Sequence, residues 1–435
     1  MNSHETPRGV ASVLARWAPR QISCLLDPSV GTGSLVRPLV SRLCANRSRV
    51  FCVDVDRDAL ATVNKNYRTY FGPSMTLLNT DFLQVNFDTS FDCVVMNPPF
   101  AGKRQDLRNV IVSNDINVKD AICRKSPLEG AFLVRAVHLL KPGGRILAIL
   151  PSSVVSGTTS QWIREFLLAS GSIRCVHELP HFTFERVEAR IYLLVFEKST
   201  SSKRIILRNH KLVCPDEFLL TKYSIGKESR LDYGFQTSRF WFSTLQSATP
   251  EAGWSSLKEH ADLSRGQAVS PDGIEKALHT TDYKNGFWSL NRFKNRRLVN
   301  RKSCCLRHTD LLVTRVGRRS TDSIGAIVGS APLDFTDCVV RIRPKNRRSH
   351  TRLLFALRCL LVCEEGRSLV QRGSSAKYIV QSDFESLSIP WNLSNMYPKV
   401  FAKYKSAVRR HQFIRMQQLE RYVRSMLKIR LENLY

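Results

Sequence analysis

The sequence predicts an α/β protein with a doubly wound sheet of parallel strands, followed by a smaller α+β region and a long terminal helix. Between residues 20 and 198, short apolar, β-branched runs alternate with helical stretches, which is typical of a parallel sheet covered by helices. Residues 251–395 switch to short strands, many arginines and glycine-marked turns. Residues 398–434 contain no Pro or Gly beyond the first residue and carry apolar residues at near-helical spacing, which predicts one basic helix.

Seven strands are predicted in the first region, because each is a short apolar run followed by polar or turn-forming residues. They are expected at Cys24–Asp27, Arg49–Asp54, Met75–Asn79, Cys93–Met96, Gly144–Leu150, Ile173–Leu179 and Arg190–Glu197. Helices are expected to begin after Thr32 and to span Asp58–Tyr70 and Leu128–Leu140.

The polar stretch Ser199–Lys203 has no apolar period and marks the end of the first domain. The expected divisions are a first domain at 1–200, a transition segment at 201–250, a second domain at 251–395 and a terminal helix at 396–435.

Composition points to a polyanionic partner. The 435 residues include 66 Lys and Arg against 37 Asp and Glu, a formal charge of +29, which favours nucleic acid over a neutral metabolite. The alternatives are that the positive charge only keeps the protein soluble or that it forms a surface that associates with the ribosome. The 12 cysteines lack zinc-site spacing, and Met1–Gly9 is polar, so we expect reduced thiols in a cytoplasmic, nucleoid-associated protein. No apolar run approaches the roughly 20 residues of a membrane span.

A glycine-rich turn follows the first predicted strand. In Asp27–Leu35, Gly31 and Gly33 can bring backbone N–H groups close to a ligand at the carboxyl end of the strand. Asp54 ends the next strand, at about the ~20-residue spacing at which a carboxylate binds ribose hydroxyls. The third glycine of a pyrophosphate-binding turn is missing.

A third strand end carries Asp81 and Phe82, a carboxylate and an aromatic plane that together suit an adenine ring with its amino group. Three carboxylates lining one pocket would repel a dinucleotide but tolerate a cationic sulfonium. The alternative interpretation is that all three are ordinary helix caps.

The fourth strand ends in Asn97-Pro98-Pro99-Phe100. The prolines supply no N–H, so the carbonyls before and between them point outward as acceptors, and the Asn97 side chain adds another. Two acceptors converging on a planar NH2 group bind both of its hydrogens and make its nitrogen nucleophilic. Phe100 can stack on the ring that bears the amine. A Pro-Pro turn without function is the alternative.

Residues 6–198 resemble the N6-adenine DNA methyltransferases of restriction–modification systems, with the cofactor motifs ahead of the amine-methylating motif. The matching stretches are Thr6-Pro7-Arg8-Gly9-Val10-Ala11, Asp27–Leu35, Asp54, Asp81-Phe82 and Asn97-Pro98-Pro99-Phe100. The resemblance implies a Rossmann-like methyltransferase sheet and S-adenosyl-L-methionine as the methyl donor. The cofactor-binding residues it implies are Thr6, Pro7, Asp27, Gly31, Gly33, Asp54, Asp81 and Phe82.

The same resemblance implies direct methyl transfer at Asn97, Pro98, Pro99 and Phe100, with no covalent intermediate and no metal. The target base must swing out of the double-stranded DNA. An aromatic residue after the sixth strand is expected to stack on the flipped base, and its spacing favours Phe182 over Phe184.

Residues 251–395 resemble the target-recognition domains of restriction–modification specificity subunits, through Asp310–Gly317 and Gly373–Ile379. A basic field with Trp288 and Phe293 interleaved is expected to bind DNA. Its candidate DNA-binding residues are Arg292, Lys294, Arg296, Arg297, Arg315, Arg318 and Arg319. The terminal helix resembles the helical spacer of those subunits, which implies a monomer with internal packing or a dimer through this helix. The alternative is contact with the DNA backbone through Arg409, Arg410, Arg415 and Arg421.

Three other functions remain open from the sequence. RNA amino-group methylation uses an equally anionic substrate, and protein glutamine methyltransferases use nearly the same core, although their motif usually ends in Tyr rather than Phe100. The third is a non-catalytic DNA-binding protein on a methyltransferase scaffold. No nuclease motif is apparent, so any restriction endonuclease partner is expected to be a separate chain.

Overall fold

The computed structural model divides the chain into two compact units, residues 1–236 with 373–375 and residues 237–372 with 376–435. The described residues are 5–43, 47–100, 127–180, 183–184, 190–199, 202–225, 230–268, 277–290, 306–317, 320–329, 334–373 and 377–432. None of the described helices is both long enough and apolar enough to cross a membrane.

The first unit is built on a nine-stranded mixed sheet. Its strands are β1 (Cys24–Asp27), β2 (Arg49–Asp54), β3 (Met75–Asn79), β4 (Phe91–Met96), β5 (Leu140–Pro151), β6 (Gly171–Glu178), β7 (Ile191–Lys198), β8 (Arg204–Arg208) and β9 (Glu217–Thr221). The order across the sheet is β3-β2-β1-β4-β5-β7-β6-β8-β9. Strands β1 to β5 are parallel, whereas β7 runs antiparallel between β5 and β6.

All seven predicted strands are present, and two features differ from the prediction of a parallel sheet ending near residue 200. The antiparallel β7 makes the sheet mixed, and β8 and β9 extend it into the predicted transition segment. Both added strands contribute side chains to the core, since Ile205, Leu207 and Leu220 are buried. The sheet therefore continues past residue 200, where the sequence predicts the end of the first domain.

Helices cover both faces of the sheet, as the doubly wound prediction requires. They are α1 (Arg8–Ala15), α2 (Arg57–Phe71), α3 (Leu128–Leu139), α4 (Ser152–Ser156) and α5 (Gln161–Ser170). Leu25 and Leu26 of β1 are both fully buried, yet they pack in different hydrophobic clusters. Leu25 shares its cluster with residues of α1 and α2, whereas Leu26 shares its cluster with residues of α3 and α5.

The helix expected after Thr32 is not an α-helix. The segment forms turns and then a 3-10 helix, Arg37–Arg42, with Pro38 in its first turn. The missing N–H of a proline is tolerated there, so a short helix can begin at this point.

The second unit has a six-stranded sheet in the order β11-β16-β14-β15-β13-β12 and two small two-stranded sheets. Its strands are β10 (Trp254–Ser256), β11 (Ala261–Arg265), β12 (Tyr283–Lys284), β13 (Phe287–Ser289), β14 (Leu311–Thr314), β15 (Gly325–Val328), β16 (Val339–Pro344), β17 (Gln371–Arg372), β18 (Tyr378–Ile379) and β19 (Ser388–Pro390). The remaining helices are α6 (Tyr233–Ala248), α7 (Leu257–His260), α8 (His350–Leu361), α9 (Glu364–Val370), α10 (Gln381–Glu385), α11 (Leu393–Met396), α12 (Pro398–Arg409) and α13 (Phe413–Glu432).

The single terminal helix that the spacing predicts is two helices, α12 and α13. The chain turns between them at His411, whose φ is +54°. A buried ion pair explains the turn, because Arg358 of α8 contacts Glu420 of α13 at 2.6 Å and Tyr404 of α12 donates to the same carboxylate at 2.9 Å. Two helices folded against α8 bring all three groups together, which one straight helix could not do.

Candidate active site

Polar residues collect at one edge of the first sheet. Asp27, Asp54 and Asn79 are the last residues of β1, β2 and β3, and Asn97 directly follows β4. These four strands are parallel neighbours, so their carboxyl ends meet at the same edge. The topology thus brings together residues that are up to 70 positions apart in the chain.

Asp54 ties the glycine-rich turn to the end of β2. Its Oδ2 accepts the Gly31 N–H at 2.8 Å, and its Oδ1 accepts the Asp56 N–H at 3.0 Å. The Val30 N–H donates to the Val53 carbonyl at 3.0 Å, beside this contact. The carboxylate therefore shapes the turn directly, besides facing the site.

Each glycine of the turn has a conformational reason to be glycine. Gly31 and Gly33 have φ values of +49° and +83°, in the left-handed region. A Cβ on Gly33 would also lie 2.5 Å from the ring of Tyr67, whose hydroxyl donates to the Gly33 carbonyl at 3.1 Å. The close contact at Gly33 is therefore with Tyr67 of α2, whereas the sequence predicts that the backbone of this turn comes close to a ligand.

Asp27 is 1% exposed and carries a buried oxygen without a partner among the described residues. Its Oδ1 accepts the Ser29 N–H at 3.2 Å, and Oδ2 is the unpartnered atom. The pKa of this carboxyl is raised to about 8, chiefly by burial; the Ser29 N–H lowers it in part, and the charge of Asp54 adds a smaller increase. Such an acceptor is suited to a cationic or hydrogen-donating ligand.

Asp81 and Phe82 differ in their surroundings. Asp81 caps the 3-10 helix Phe82–Gln84, its Oδ1 accepting the Leu83 N–H at 2.9 Å. Phe82 is 1% exposed, with its ring centroid 5.0 Å from that of Phe132 and the Arg135 guanidinium 5.1 Å from its centroid. The prediction that this ring faces an adenine is therefore wrong: the ring belongs to the core beneath the site.

The Asn97 motif is held from two sides. Its side-chain Nδ2 donates to Thr6 Oγ1 at 3.2 Å, and its backbone carbonyl accepts the Ser29 hydroxyl at 3.1 Å. Asn97 Oδ1 accepts no hydrogen bond from the described part of the chain. Pro98 is buried and Pro99 is exposed, and Phe100 is 40% exposed, so its ring is accessible for stacking.

The amino-terminal segment contributes a residue that the sequence does not single out. Glu5 Oε1 accepts the hydroxyls of Thr32 and Ser34 at 3.3 and 3.2 Å. Pro7 precedes α1, and its carbonyl accepts the Ala11 N–H at 3.1 Å. The only sequence signal for Glu5 is its position next to the Thr6 motif, which is too weak to identify it.

The predicted base-stacking residue, Phe182, lies outside the described residues. Phe184, the residue that the spacing disfavours, is buried in the core of the first unit.

Most of the predicted DNA-binding residues also lie outside the described residues: Arg292, Lys294, Arg296, Arg297, Arg318 and Arg319. Arg315 is described, and its Nε donates to the Asp337 carbonyl at 2.8 Å within the second unit. Trp288 is fully buried, and its Nε1 donates to the Leu312 and Ser323 carbonyls at 3.1 and 2.9 Å. The expectation that Trp288 lies among the DNA-binding residues of the basic field is wrong, because its indole is buried in the core of this unit.

Comparison with known proteins gives a family match in the first half of the chain, where residues 3–217 match the N-6 DNA Methylase family. The type II methyltransferase M.AccI of Acinetobacter calcoaceticus is 25% identical over 174 residues, 39% of this chain and 31% of that protein. The tRNA1(Val) (adenine(37)-N6)-methyltransferase of Vibrio vulnificus is 28% identical over 148 residues, 32% of this chain and 56% of that protein. The chain thus spans less than two thirds of either curated relative.

Among solved structures, the type IIG restriction endonuclease BpuSI aligns over 99% of this chain and 66% of its own, with 13% sequence identity and a TM-score of 0.48.

Proposed function

Because residues 3–217 match the N-6 DNA Methylase family, we propose that this chain transfers a methyl group from S-adenosyl-L-methionine to the N6 amino group of adenine in DNA. The observation that carries the proposal is the Asn97 amide, which is held at Nδ2 while its oxygen accepts nothing from the described residues. Ser29 connects this residue to buried Asp27, because its hydroxyl donates to the Asn97 carbonyl and its N–H donates to Asp27 Oδ1. The acceptor for an amine, Asn97 Oδ1, and the acceptor for a cation, Asp27 Oδ2, thus belong to residues that share a hydrogen-bonding partner.

The described residues fit this cofactor. The unpartnered Asp27 Oδ2 suits its cationic end, since a buried carboxyl oxygen gains most from a charged donor. Both Asp54 oxygens already accept backbone N–H groups, yet a carboxylate has about four acceptor positions and can still bind ribose hydroxyls. Asp81 uses one oxygen as a cap and keeps the other for an adenine amino group. When bound, the cofactor supplies a methyl group on a positively charged sulfur.

The protein's part in the chemistry is to orient and polarise the target amine. Asn97 Oδ1 accepts one N–H of the planar NH2 group, and the Pro98 carbonyl accepts the other, since the Asn97 carbonyl is engaged by Ser29. Two such bonds fix the orientation of the amine and increase the electron density on its nitrogen, so that its lone pair is directed at the methyl group for in-line attack. After methyl transfer the nitrogen releases its surplus proton to solvent, because the amide and peptide carbonyl oxygens that bind its hydrogens are too weakly basic to keep it.

Phe100 would stack on the target base, which must leave the duplex at a cost of a few kcal/mol. Phe182 remains the predicted second stacking residue.

We propose that the second unit recognises the DNA sequence through the basic field around residues 292–319. We also propose that the chain is the modification part of a restriction–modification system whose nuclease is a separate chain.

The proposal is tested by incubating the protein with methyl-labelled cofactor and with DNA, RNA or a glutamine-containing peptide in parallel. Nucleosides from the digested products are then separated and weighed by mass spectrometry. We expect N6-methyldeoxyadenosine, at positions that single-molecule sequencing assigns to one motif. Label in RNA alone would support the main alternative, since a relative of similar identity is a tRNA adenine methyltransferase. Label in the peptide alone, or in no substrate, would contradict both.

Replacing Asp54 with alanine is expected to weaken cofactor binding roughly 10- to 100-fold, since hydrogen bonds to a charged group contribute about 1.5–3 kcal/mol. The substitution also leaves the Gly31 N–H without its acceptor. Isothermal titration calorimetry measures the affinity, and Asp58→Ala, an exposed carboxylate of α2, is the matched control. An unchanged affinity in Asp54→Ala would mean that the ribose is held elsewhere.

Cofactor affinity is expected to rise with pH because of Asp27. Its pKa of about 8 means that the carboxyl is mostly protonated near neutrality and must ionise to pair with a cation. Between about pH 6 and 7, where an α-amino group stays mostly protonated, the affinity should rise by up to about tenfold per pH unit. Calorimetry across this range checks the slope. Asp27→Asn should bind more weakly and without the slope, and a pH-independent wild type would contradict a cation at Asp27.

A further inference from the structure

Thr6 contacts the amide of Asn97, although the sequence motif places it among cofactor-binding residues. We propose that Thr6 is a positioning residue, which holds the NH2 end of the Asn97 amide while its oxygen faces the target amine. The inference rests on the proposed function, since it assigns the orientation of the group that polarises the amine. It is carried by the 3.2 Å hydrogen bond from Asn97 Nδ2 to Thr6 Oγ1.

Thr6 is held in place because its neighbours on both sides are anchored. It is 6% exposed itself. On one side, Glu5 accepts hydroxyl hydrogens from Thr32 and Ser34 of the glycine-rich turn. On the other side, Pro7 leads into α1, whose apolar residues are buried against the sheet. Residues 5 and 6 therefore connect the cofactor turn and the Asn97 loop through consecutive side chains.

Orientation matters because the two ends of an asparagine side chain have nearly the same shape and opposite hydrogen-bonding character. An amide turned by 180° would present its NH2 group to the amine, so that two donors would face each other. Around Asn97, the Ser29 hydroxyl contacts the backbone carbonyl, which leaves the Thr6 hydroxyl as the described group that contacts the amide itself. The two donors of the target amine select the amide oxygen, and the Thr6 hydroxyl, which can accept as well as donate, holds the NH2 end that remains. Losing this one neutral hydrogen bond should lower the turnover number roughly tenfold.

The test compares Thr6→Val, which keeps the shape and removes the hydroxyl, with Thr6→Ser, which keeps the hydroxyl. Thr62→Val, the same exchange at an exposed position of α2, is the control. We expect Thr6→Val to reduce kcat roughly tenfold with little change in the KM for S-adenosyl-L-methionine. Thr6→Ser should restore most of the rate. Combined with Asn97→Ala, Thr6→Val should have no further effect on kcat, because both act through one amide.

A raised KM for the cofactor with unchanged kcat would overturn the proposal and make Thr6 a cofactor contact only. Equal losses in Thr6→Ser and Thr6→Val would also overturn it, since the hydroxyl would then not be the active feature. An additive loss in the Asn97→Ala background has the same consequence.

A second measurement does not depend on activity. With ¹⁵N-labelled asparagine, the Asn97 side-chain NH2 signals are assigned in NMR spectra through their loss in Asn97→Ala. Their exchange with water should be slow in the wild type and in Thr6→Ser, and fast in Thr6→Val. Equal exchange in all three proteins would overturn the contact. If the wild type methylates no adenine, the proposed function fails, while this measurement still decides whether Thr6 holds the Asn97 amide.

Discussion

Replacement of Asn97 by alanine is expected to reduce methyl transfer roughly 10²- to 10³-fold while cofactor affinity stays close to that of the wild type. Removing one preorganised hydrogen-bonding group that acts on the reacting atoms typically has an effect of this size. Cofactor affinity should persist because Asp27, Asp54 and Asp81 lie on other strand ends and keep their backbone hydrogen bonds. The expected loss exceeds that of Thr6→Val, because the acceptor itself is removed.

Single-turnover methyl transfer to DNA, with protein in excess, measures this step apart from product release. Asn64→Ala, on the exposed surface of α2, is the matched control and should behave as the wild type. Thermal unfolding of the three proteins shows whether the fold is kept. A rate within tenfold of the wild type, about 1.4 kcal/mol in activation free energy, would remove Asn97 from the proposed chemistry.

A fragment ending at Gln236 is expected to bind the cofactor and to lose methylation at a specific DNA site. The two hydrophobic clusters of the first unit include no residue beyond Tyr233, and those of the second unit begin at Trp241. The fragment therefore keeps a complete sheet and the residues of the candidate site. It lacks the predicted basic field, and phosphate contacts supply much of the affinity for DNA, so its DNA binding should weaken and become less dependent on salt.

The end point of the fragment matters. A shorter fragment ending at Ser202 would lose β8 and β9, and with them the buried side chains of Ile205, Leu207 and Leu220. It should unfold at a lower temperature than the fragment ending at Gln236, which serves as its control. Calorimetry with S-adenosyl-L-methionine, DNA binding at several salt concentrations and sequencing of methylated DNA complete the comparison. Methylation of the same motif by the Gln236 fragment and the full chain would show that recognition lies in the first unit.

Local chemistry determined the strands and the positions of the polar strand ends. Each strand from β1 to β7 is a short apolar run, and a run of this kind can be recognised without its neighbours. The same holds for Asp27, Asp54 and Asn97, because the carboxyl ends of parallel strands must share one edge whatever the details of packing. The spacing of apolar residues also indicated α2 and α3 to within one residue of their observed ends.

Long-range packing decided the rest, because contacts between distant residues leave no periodic trace in the chain. Thr6 meets Asn97 across 91 positions, and β7 lies antiparallel between β5 and β6, strands that precede it in the chain. Phe82 resembles an exposed ligand contact in sequence, but its ring packs against Phe132 in the core. The terminal segment has uniform helical periodicity, yet it folds as two helices that bury apolar residues in one core and meet at the Arg358–Glu420 pair beside Tyr404. These features depend on burial and charge pairing, and both are set by neighbours in three dimensions rather than by neighbours along the chain.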